Sequence, residues 1–466
     1  MISYLRSLLI LLALGSSLHA SQPNVLFIIV DDLTTTLGCY GNQSVRTPGM
    51  DALAARGVRF DHAYTQFALC NPSRCSFLTG CYPEKTAVMD LSTSLRKALP
   101  DEVTLPQHFK DHGYATGRVG KVFHVPDPKT KLDVELGSAL HRDNEILTEA
   151  KTANDPADKP RTKAKGEGYN RTYAASSRPA ADFTDYAIAD DAIAALEQFK
   201  AKPFFLAVGF IRPHTPFVAP KSFFEAIDKT QLTLPPFYRD GGEDLAHLPK
   251  ASLRPNNNVF RYAPPTRDEA RDALQAYLAS TSFVDSQIAR VLGKLDELHL
   301  AENTIVVITG DHGYQLGEHG LWAKQTLFEG ANHVPLIIAA PGVKPGARSG
   351  LAEQVDIYPT LCDLAGLPKP KHLQGRSLKP MLDDPTAKGK QVAISTMIAP
   401  HTKQTGHSLR TDAFRYIAWE GGEELLYDLR TDAEELHNLA KQPAQAERMA
   451  RMRERLAAHL ESTTSP

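Results

Sequence analysis

Four apolar segments of the chain are each followed closely by charged residues or histidines. Residues 24–30 form the clearest segment, a continuous apolar and β-branched run that leads directly into two aspartates. Such a run is typical of a strand buried on both faces of a parallel sheet. The four strands are predicted at residues 24–30, 114–119, 204–210 and 304–309. The polar residues that follow them are Asp31 and Asp32, Lys121 and His124, His214, and Asp311 and His312. Because ligands of α/β sheets bind outside the carboxyl ends of the strands, we expect these side chains to meet at one edge.

Helical patterns between the strands predict an α/β fold with a large, mixed but mainly parallel sheet flanked by helices. The longest helix begins after the capping box formed by Thr266 and Glu269, and its apolar face continues to Leu298. Residues 126–182 carry few large apolar side chains and predict an irregular surface excursion. From about residue 391 onward, short strands and a terminal helix predict a smaller antiparallel-sheet subdomain.

Length and composition restrict the classes of function. The chain has 466 residues, of which 42% are hydrophobic and 23% are charged, as in a globular protein. Its net charge of -2 provides no basic excess for nucleic acid, so recognition of an anion must be local. We predict that residues 1–20 form a signal peptide, residues 21–390 a catalytic domain and residues 391–466 the C-terminal subdomain.

The signal peptide predicts an exported protein that is periplasmic or extracellular, and no later segment reaches the length of a membrane span. The five cysteines are Cys39, Cys70, Cys75, Cys81 and Cys362. Their odd number leaves at least one outside an intramolecular disulfide. A bridge between Cys75 and Cys81 remains open, because the sequence does not establish its geometry.

Three carboxylates at predicted strand ends, Asp31, Asp32 and Asp311, indicate a site for a hard cation. Ca²⁺ and Mg²⁺ both prefer oxygen ligands, and these aspartates supply them. His312 would add a nitrogen, which suits Ca²⁺ poorly, so a transition metal remains an alternative.

The segment Cys70-Asn71-Pro72-Ser73-Arg74, with Thr79-Gly80 shortly after it, resembles the signature of the type I, formylglycine-dependent sulfatases. Residues 309–324, 120–124 and 212–216 further resemble the iduronate-2-sulfatase subfamily. The resemblance covers almost all of the chain after the signal peptide and is weakest in residues 126–182 and 226–262. It implies an alkaline phosphatase-like fold and hydrolysis of a sulfate ester.

The resemblance also implies a mechanism. A maturation enzyme would oxidise Cys70 to formylglycine, whose hydrate has two hydroxyl groups, one to attack sulfur and one to expel sulfate afterwards. Arg74 and a cation, Ca²⁺ rather than Mg²⁺, would stabilise the hydroxylate. The implied metal ligands are Asp31, Asp32, residue 70, Asp311 and His312. Lys121, His124 and Lys324 would bind the sulfate or the diol, and His214 would protonate the leaving group and contact substrate.

The implied substrate is a sulfated carbohydrate, with 2-O-sulfated uronate such as iduronate as first choice. The alternatives are another sulfated glycan, a phosphate or phosphonate ester hydrolysed by the same superfamily, and, without catalysis, a periplasmic glycan-binding protein that keeps an unmodified Cys70. The C-x-P-S-R context argues against the phosphatase alternative, since those enzymes generally use Thr, Ser or a zinc pair.

Overall fold

The computed structural model describes residues 22–127, 129–137, 142–154, 171–235, 248–254, 258–260 and 265–464. The predicted signal peptide, residues 1–20, lies outside the described residues. The strands are β1 (Asn24–Val30), β2 (Val58–Tyr64), β3 (Ala115–Gly120), β4 (Val134–Leu136), β5 (Tyr173–Ser176), β6 (Phe204–Phe210), β7 (Phe217–Pro220), β8 (Thr304–Gly310), β9 (His333–Ala339), β10 (Gly346–Glu353), β11 (Ala393–Ile398), β12 (Thr405–Arg410), β13 (Phe414–Trp419) and β14 (Glu424–Asp428).

The α-helices between and after these strands are α1 (Pro48–Arg56), α2 (Cys70–Thr79), α3 (Pro83–Thr86), α4 (Leu95–Ala98), α5 (Leu105–Asp111), α6 (Arg142–Asn154), α7 (Thr184–Phe199), α8 (Lys221–Glu225), α9 (Arg267–Glu297), α10 (Glu329–Asn332), α11 (Ile357–Ala365), α12 (Lys379–Asp383) and α13 (Ala446–Thr464). The predicted capping box at the start of α9 is present, with Thr266 and Glu269 in reciprocal hydrogen bonds.

Eight strands form the large sheet, in the order β10-β2-β9-β8-β1-β6-β3-β4. Only β9 runs against its neighbours, so the predicted mixed, mainly parallel sheet is confirmed. The carboxyl ends of β1, β2, β3, β6 and β8 therefore lie along the same edge. The amino end of β9 reaches this edge too, because that strand is antiparallel to β2 and β8.

Strand β1 lies in the centre and is buried on both faces, as its continuous apolar pattern predicts. Val25, Phe27 and Ile29 pack in one core cluster, and the intervening residues pack in another. Helices α2, α5 and α11 contribute to the first cluster, and α1, α7 and α9 contribute to the second. The sheet edge is thus held by a rigid two-sided core.

A separate antiparallel sheet, in the order β11-β12-β13-β14, confirms the predicted C-terminal architecture. Helix α13 packs against it through Met449, Met452 and Leu456. Strand β12 was not predicted, because its sequence Thr-Gly-His-Ser-Leu-Arg lacks a continuous apolar alternation. Backbone pairing with β11 on one side and β13 on the other stabilises β12 as a strand, although its local sequence pattern does not indicate one.

The interpretation of residues 126–182 as irregular was wrong where the structure describes them. They include strand β4, helix α6 and strand β5, which pairs in parallel with β7. Ile146 and Leu147 of α6 and Tyr173 of β5 are buried in a cluster with α9. Their few apolar residues form regular structure because β7 and α9 together offer a surface on which to bury them. Within the described part of the chain, no helix combines the length and apolarity needed to cross a membrane.

Candidate active site

The carboxyl edge of the large sheet brings together the polar residues that follow the strands. Cys70 is the first residue of α2, and its side chain is buried there. Its Sγ lies 3.3 Å from Asp31 Oδ1, beyond β1, and 3.4 Å from His312 Nε2, beyond β8. Lys324 Nζ lies 3.2 Å from the same sulfur. Residues up to 254 positions away from Cys70 in the chain thus surround its thiol.

Local backbone structure explains how two of these groups are aimed. Asp32 has a φ of 62°, a left-handed conformation that Asp tolerates better than most residues. Its N–H donates to Asp311 Oδ1 at 3.0 Å, which ties the ends of β1 and β8 together. Helix α2 begins at Cys70 and ends at Gly80, whose φ of 67° terminates it. The partial positive charge of the helix N-terminus therefore lies at Cys70.

The two lysines of the site are each paired with one aspartate. Lys324 Nζ lies 2.6 Å from Asp32 Oδ1, and Lys121 Nζ forms an ion pair with Asp31 Oδ2. The side chain of Lys324 is 6% exposed, and that of Asp32 is fully buried. Burial excludes water, which strengthens the attraction within such pairs and makes the loss of one partner costly in stability.

Arg74 ties the third carboxylate to the rest of the site. Its Nε donates to Asp311 Oδ2 at 3.0 Å, and its Nη2 lies 3.5 Å from Asp31 Oδ1. Its Nη1 donates to the carbonyl oxygens of Lys121 and Val122. Because Arg74 is buried, these contacts orient a fixed positive charge beside residue 70.

The crowding of charges shifts several pKa values. Burial disfavours ionisation of the Cys70 thiol, but Lys121 and Lys324 outweigh burial and hold the pKa of Cys70 well below its usual range. Burial and the neighbouring Asp31 raise the pKa of Asp311 to about 7. Burial opposes protonation of His312, but Asp311 prevails and raises the pKa of His312 to about 9. Position 70 is therefore an environment that stabilises negative charge.

Asp31, Cys70, Asp311 and His312 present ligand atoms that all lie within 4.8 Å of one another. Asp32 adds a buried Oδ2 that has no hydrogen-bond partner among the described residues. Buried polar atoms are normally satisfied, so a free carboxylate oxygen beside other carboxylates fits a cation. The donor set therefore fits a divalent metal ion, with His312 as its one nitrogen donor.

A cavity of 340 Å³ opens next to this cluster. The residues that line it include Asp31, Lys121, Phe123, His124 and His214. His214 Nδ1 lies 2.6 Å from the carbonyl oxygen of Thr215, which can only accept a hydrogen bond. Nδ1 of His214 therefore carries a hydrogen, and a ring nitrogen of His214 lies within 4.8 Å of Cys70 Sγ. His124 Nδ1 is buried without a hydrogen-bond partner among the described residues.

The structure also places residues at the site that the sequence interpretation missed. Asn144 of α6 lines the cavity, although it belongs to the stretch predicted to be irregular. Arg254 donates a hydrogen bond from Nη1 to the carbonyl oxygen of Lys324 at 2.8 Å. Gln354 donates to the carbonyl oxygen of Gly310 at 2.5 Å and accepts from Ser73 Oγ at 3.3 Å. None of these residues carries a local sequence signal, since the contacts that place them at the site join distant parts of the chain and form only on folding.

The cysteines outside the site are free thiols in the structure, and Cys75 and Cys81 form no disulfide with each other. Cys75, Cys81 and Cys362 are buried, and Cys39 is partly buried. Burial raises the pKa of Cys75 to about 12, in contrast to that of Cys70. Among the five cysteines, Cys70 is thus set apart by a lowered pKa, whereas burial raises the pKa of the other four.

Comparisons with known proteins agree with this geometry. The sulfatase family profile matches residues 23–367, and a profile for the C-terminal part of N-sulphoglucosamine sulphohydrolase matches residues 317–462. Iduronate 2-sulfatase from Homo sapiens is 34% identical over 88% of this chain and 88% of its own length. A sulfatase from Formosa agariphila is 33% identical over 91% of this chain and 84% of its own.

Solved structures show the same fold. A phosphonate monoester hydrolase from Silicibacter pomeroyi has a TM-score of 0.80 and 27% identity, covering 95% of this chain and 96% of its own. A protein described as a 2-O GAG sulfatase has a TM-score of 0.74 and 26% identity, covering 96% of this chain and 93% of its own.

The alkaline phosphatase-like fold and the residue 70 signature define a hydrolase of sulfuric esters, and the chain belongs to the type I sulfatase family. Within that family it is similar to the iduronate 2-sulfatases. It is an enzyme, so the alternative of a glycan-binding protein without catalysis is set aside.

Proposed function

We propose that this sulfatase removes sulfate from a sulfated carbohydrate, with 2-O-sulfated uronate such as iduronate as the preferred substrate. The observation that carries the proposal is the convergence of Lys121 and Lys324 on residue 70, beside a cavity of 340 Å³. A sulfate ester is anionic, and in this proposal its oxygens would contact the ammonium groups of the two lysines. The similarity to iduronate 2-sulfatases supports a uronate rather than a neutral sugar.

Cys70 is converted to formylglycine in this proposal by a formylglycine-generating maturation enzyme. The hydrated aldehyde would supply one hydroxyl to attack sulfur and a second to expel sulfate. Lys121, His124 and Lys324 bind the sulfate oxygens, and Arg74 stabilises negative charge at residue 70. His214 protonates the leaving alcohol and contacts the sugar, since its ring borders both the cavity and residue 70.

The proposed metal ion is a single Ca²⁺ held by Asp31, Asp32, Asp311, residue 70 and His312. Carboxylate oxygens favour a hard cation, and Ca²⁺ accepts irregular geometry more readily than Mg²⁺, which demands a near-ideal octahedron. When bound, the ion would supply positive charge to the hydroxyl of residue 70.

The chain has three parts in this proposal. Residues 1–20 direct export to the periplasm or the extracellular space, residues 21–390 form the catalytic domain and residues 391–466 form the C-terminal subdomain. Degradation of a glycosaminoglycan or another sulfated polysaccharide outside the cytoplasm is consistent with such an exported enzyme.

Two measurements test the proposal. Mass spectrometry of the peptide that contains residue 70 should detect formylglycine in active protein, and a fully active enzyme with only unmodified cysteine would refute the mechanism. A panel of sulfated mono- and disaccharides should give the highest kcat/KM on 2-O-sulfated uronates. Faster turnover of neutral sulfated hexoses would refute the substrate preference and leave the sulfatase chemistry intact.

A second candidate is hydrolysis of phosphonate or phosphate monoesters. It is supported by the structural similarity to a phosphonate monoester hydrolase, with a TM-score of 0.80 at 27% identity. Comparison of kcat/KM on matched aryl sulfates and aryl phosphonates decides between the two. A higher value on the phosphonate would favour this second activity over the first.

A further inference from the structure

Arg254 contacts the backbone of Lys324, and among the described residues it forms no salt bridge. Its Nη1 donates to the carbonyl oxygen of Lys324 at 2.8 Å, and the ammonium group of Lys324 lies 3.2 Å from Cys70 Sγ. A single residue therefore separates this guanidinium from the reacting position.

The other cations around residue 70 have carboxylate partners. Arg74 pairs with Asp311, Lys121 with Asp31 and Lys324 with Asp32. Within the described part of the chain, Arg254 forms no salt bridge, and a carbonyl oxygen does not neutralise its charge.

The guanidinium of Arg254 is partly buried, and burial lowers the pKa of Arg254 despite the opposing effects of Tyr314 and Asp32. An arginine nevertheless remains charged in a protein, and its planar group offers five N–H donors. Partial burial of a charge is costly unless the charge is paired. The energetic balance of the site therefore favours an additional anion next to Arg254.

The segment that carries Arg254 is anchored on both sides. Leu248 and Ala251 are buried in a cluster with Phe67 and Leu69, which immediately precede Cys70. The hydroxyl of Ser252 accepts a hydrogen bond from the Trp419 indole of the C-terminal sheet at 3.0 Å.

Beyond Arg254, the N–H of Asn258 donates to the carbonyl oxygen of Trp322 at 3.0 Å, two residues before Lys324. The described residues on either side of Arg254 are thus fixed by contacts, which limits the conformational entropy that the segment loses when a ligand binds.

We propose that Arg254 binds the carboxylate of the sugar whose sulfate is removed, and thereby gives the enzyme its preference for an acidic sugar. This proposal rests on the proposed sulfatase function and names the residue that selects the substrate. A planar guanidinium matches a planar carboxylate with two parallel hydrogen bonds, and the carboxylate is the anion that a uronate carries in addition to its sulfate.

The test compares two substrates that differ only at the carboxyl group: a 2-O-sulfated uronate and its carboxyl-reduced analogue. We expect Arg254→Gln to lower kcat/KM on the uronate about 10- to 100-fold, the loss of a charge-assisted hydrogen bond. On the reduced analogue the change should be small, because sulfate, Lys121 and Lys324 are untouched. Arg254→Lys keeps the charge without the bidentate geometry and should give an intermediate loss.

Binding without catalysis provides a second measurement. The desulfated uronate should inhibit the native enzyme competitively, and Arg254→Gln should weaken this inhibition by a similar factor. Lys250→Gln removes an exposed positive charge from the same segment and serves as the matched control, with both substrates expected to react as in the native enzyme.

Each outcome has a distinct meaning. Equal losses on both substrates would overturn the proposal, because Arg254 would then act by positioning Lys324. A native enzyme that prefers the uronate and keeps this preference in Arg254→Gln would overturn the role of Arg254 alone. A native enzyme with no preference would overturn the uronate preference and the role of Arg254 together. If Arg254→Gln lowered kcat/KM more on a disulfated neutral sugar than on the uronate, the group bound by Arg254 would be a second sulfate. This result would refute the assignment of a carboxylate.

Discussion

Replacement of Lys324 by methionine tests the buried electrostatics of the site. Lys324→Met keeps most of the side-chain length and removes the ammonium group that lies 2.6 Å from Asp32 Oδ1. Both side chains are almost inaccessible, at 6% and 0% exposure, so water cannot take over the lost interaction. The substitution therefore leaves Asp32 as a buried charge with one partner fewer.

Removal of one partner from a buried ion pair costs about 3–5 kcal/mol, because the remaining charge stays desolvated. His312 Nε2 lies 3.4 Å from the same Asp32 oxygen and is retained in the variant. We therefore expect a loss at the lower end of that range, about 3 kcal/mol in the free energy of unfolding of the metal-free protein. Saturating Ca²⁺ should reduce the loss, since a bound cation would compensate Asp32.

An ion pair on the surface with the same Nζ–Oδ distance provides the control. Lys379 Nζ lies 2.6 Å from Asp383 Oδ2, but the two side chains are 40% and 52% exposed. Lys379→Met should cost less than about 0.5 kcal/mol, the usual worth of an exposed pair at this helical spacing. Urea denaturation of both variants, with and without Ca²⁺, measures the difference. Equal losses in the two metal-free variants would refute the reasoning that burial makes the Lys324 pair costly to break.

Three further predictions concern the chemistry. Cys70→Ser should still bind substrate but should not complete repeated turnovers, because serine lacks the second hydroxyl. Pre-steady-state measurement of product checks this expectation, and normal multiple turnover would contradict it. Asp311→Ala should lose both the metal ion and activity, as measured by elemental analysis and a sulfate-release assay, and retention of stoichiometric Ca²⁺ would contradict the ligand assignment. His214→Ala should lower kcat about 10²- to 10⁴-fold on sugar sulfates, whose alcohols need a proton, and much less on aryl sulfates. Equal losses on the two substrate types would exclude His214 as the acid.

The contribution of the sequence is clearest where chemistry and local pattern coincide. The apolar run of β1 predicted a strand buried on both faces, and the two aspartates after it predicted the polar sheet edge. The capping box at Thr266 and Glu269 located the start of α9, because both partners lie within one helical turn. The segment around Cys70 indicated the family, since its residue types and spacing are specific.

Only the tertiary structure decided which side chains complete the site. Arg254 and Lys324 are 70 positions apart, and their contact arises from the packing of a loop between the C-terminal sheet and the segment before Cys70. Asn144 reaches the cavity because α6 packs on β5 and β7 and buries Ile146 and Leu147 in the cluster they share with α9, in a stretch whose composition predicted no regular structure. Local sequence encodes strands, caps and reactive groups through short-range periodicity and spacing. Electrostatic environment depends on long-range packing, and so the lowered pKa of Cys70 and the lack of a carboxylate partner for Arg254 among the described residues became evident only in the folded protein.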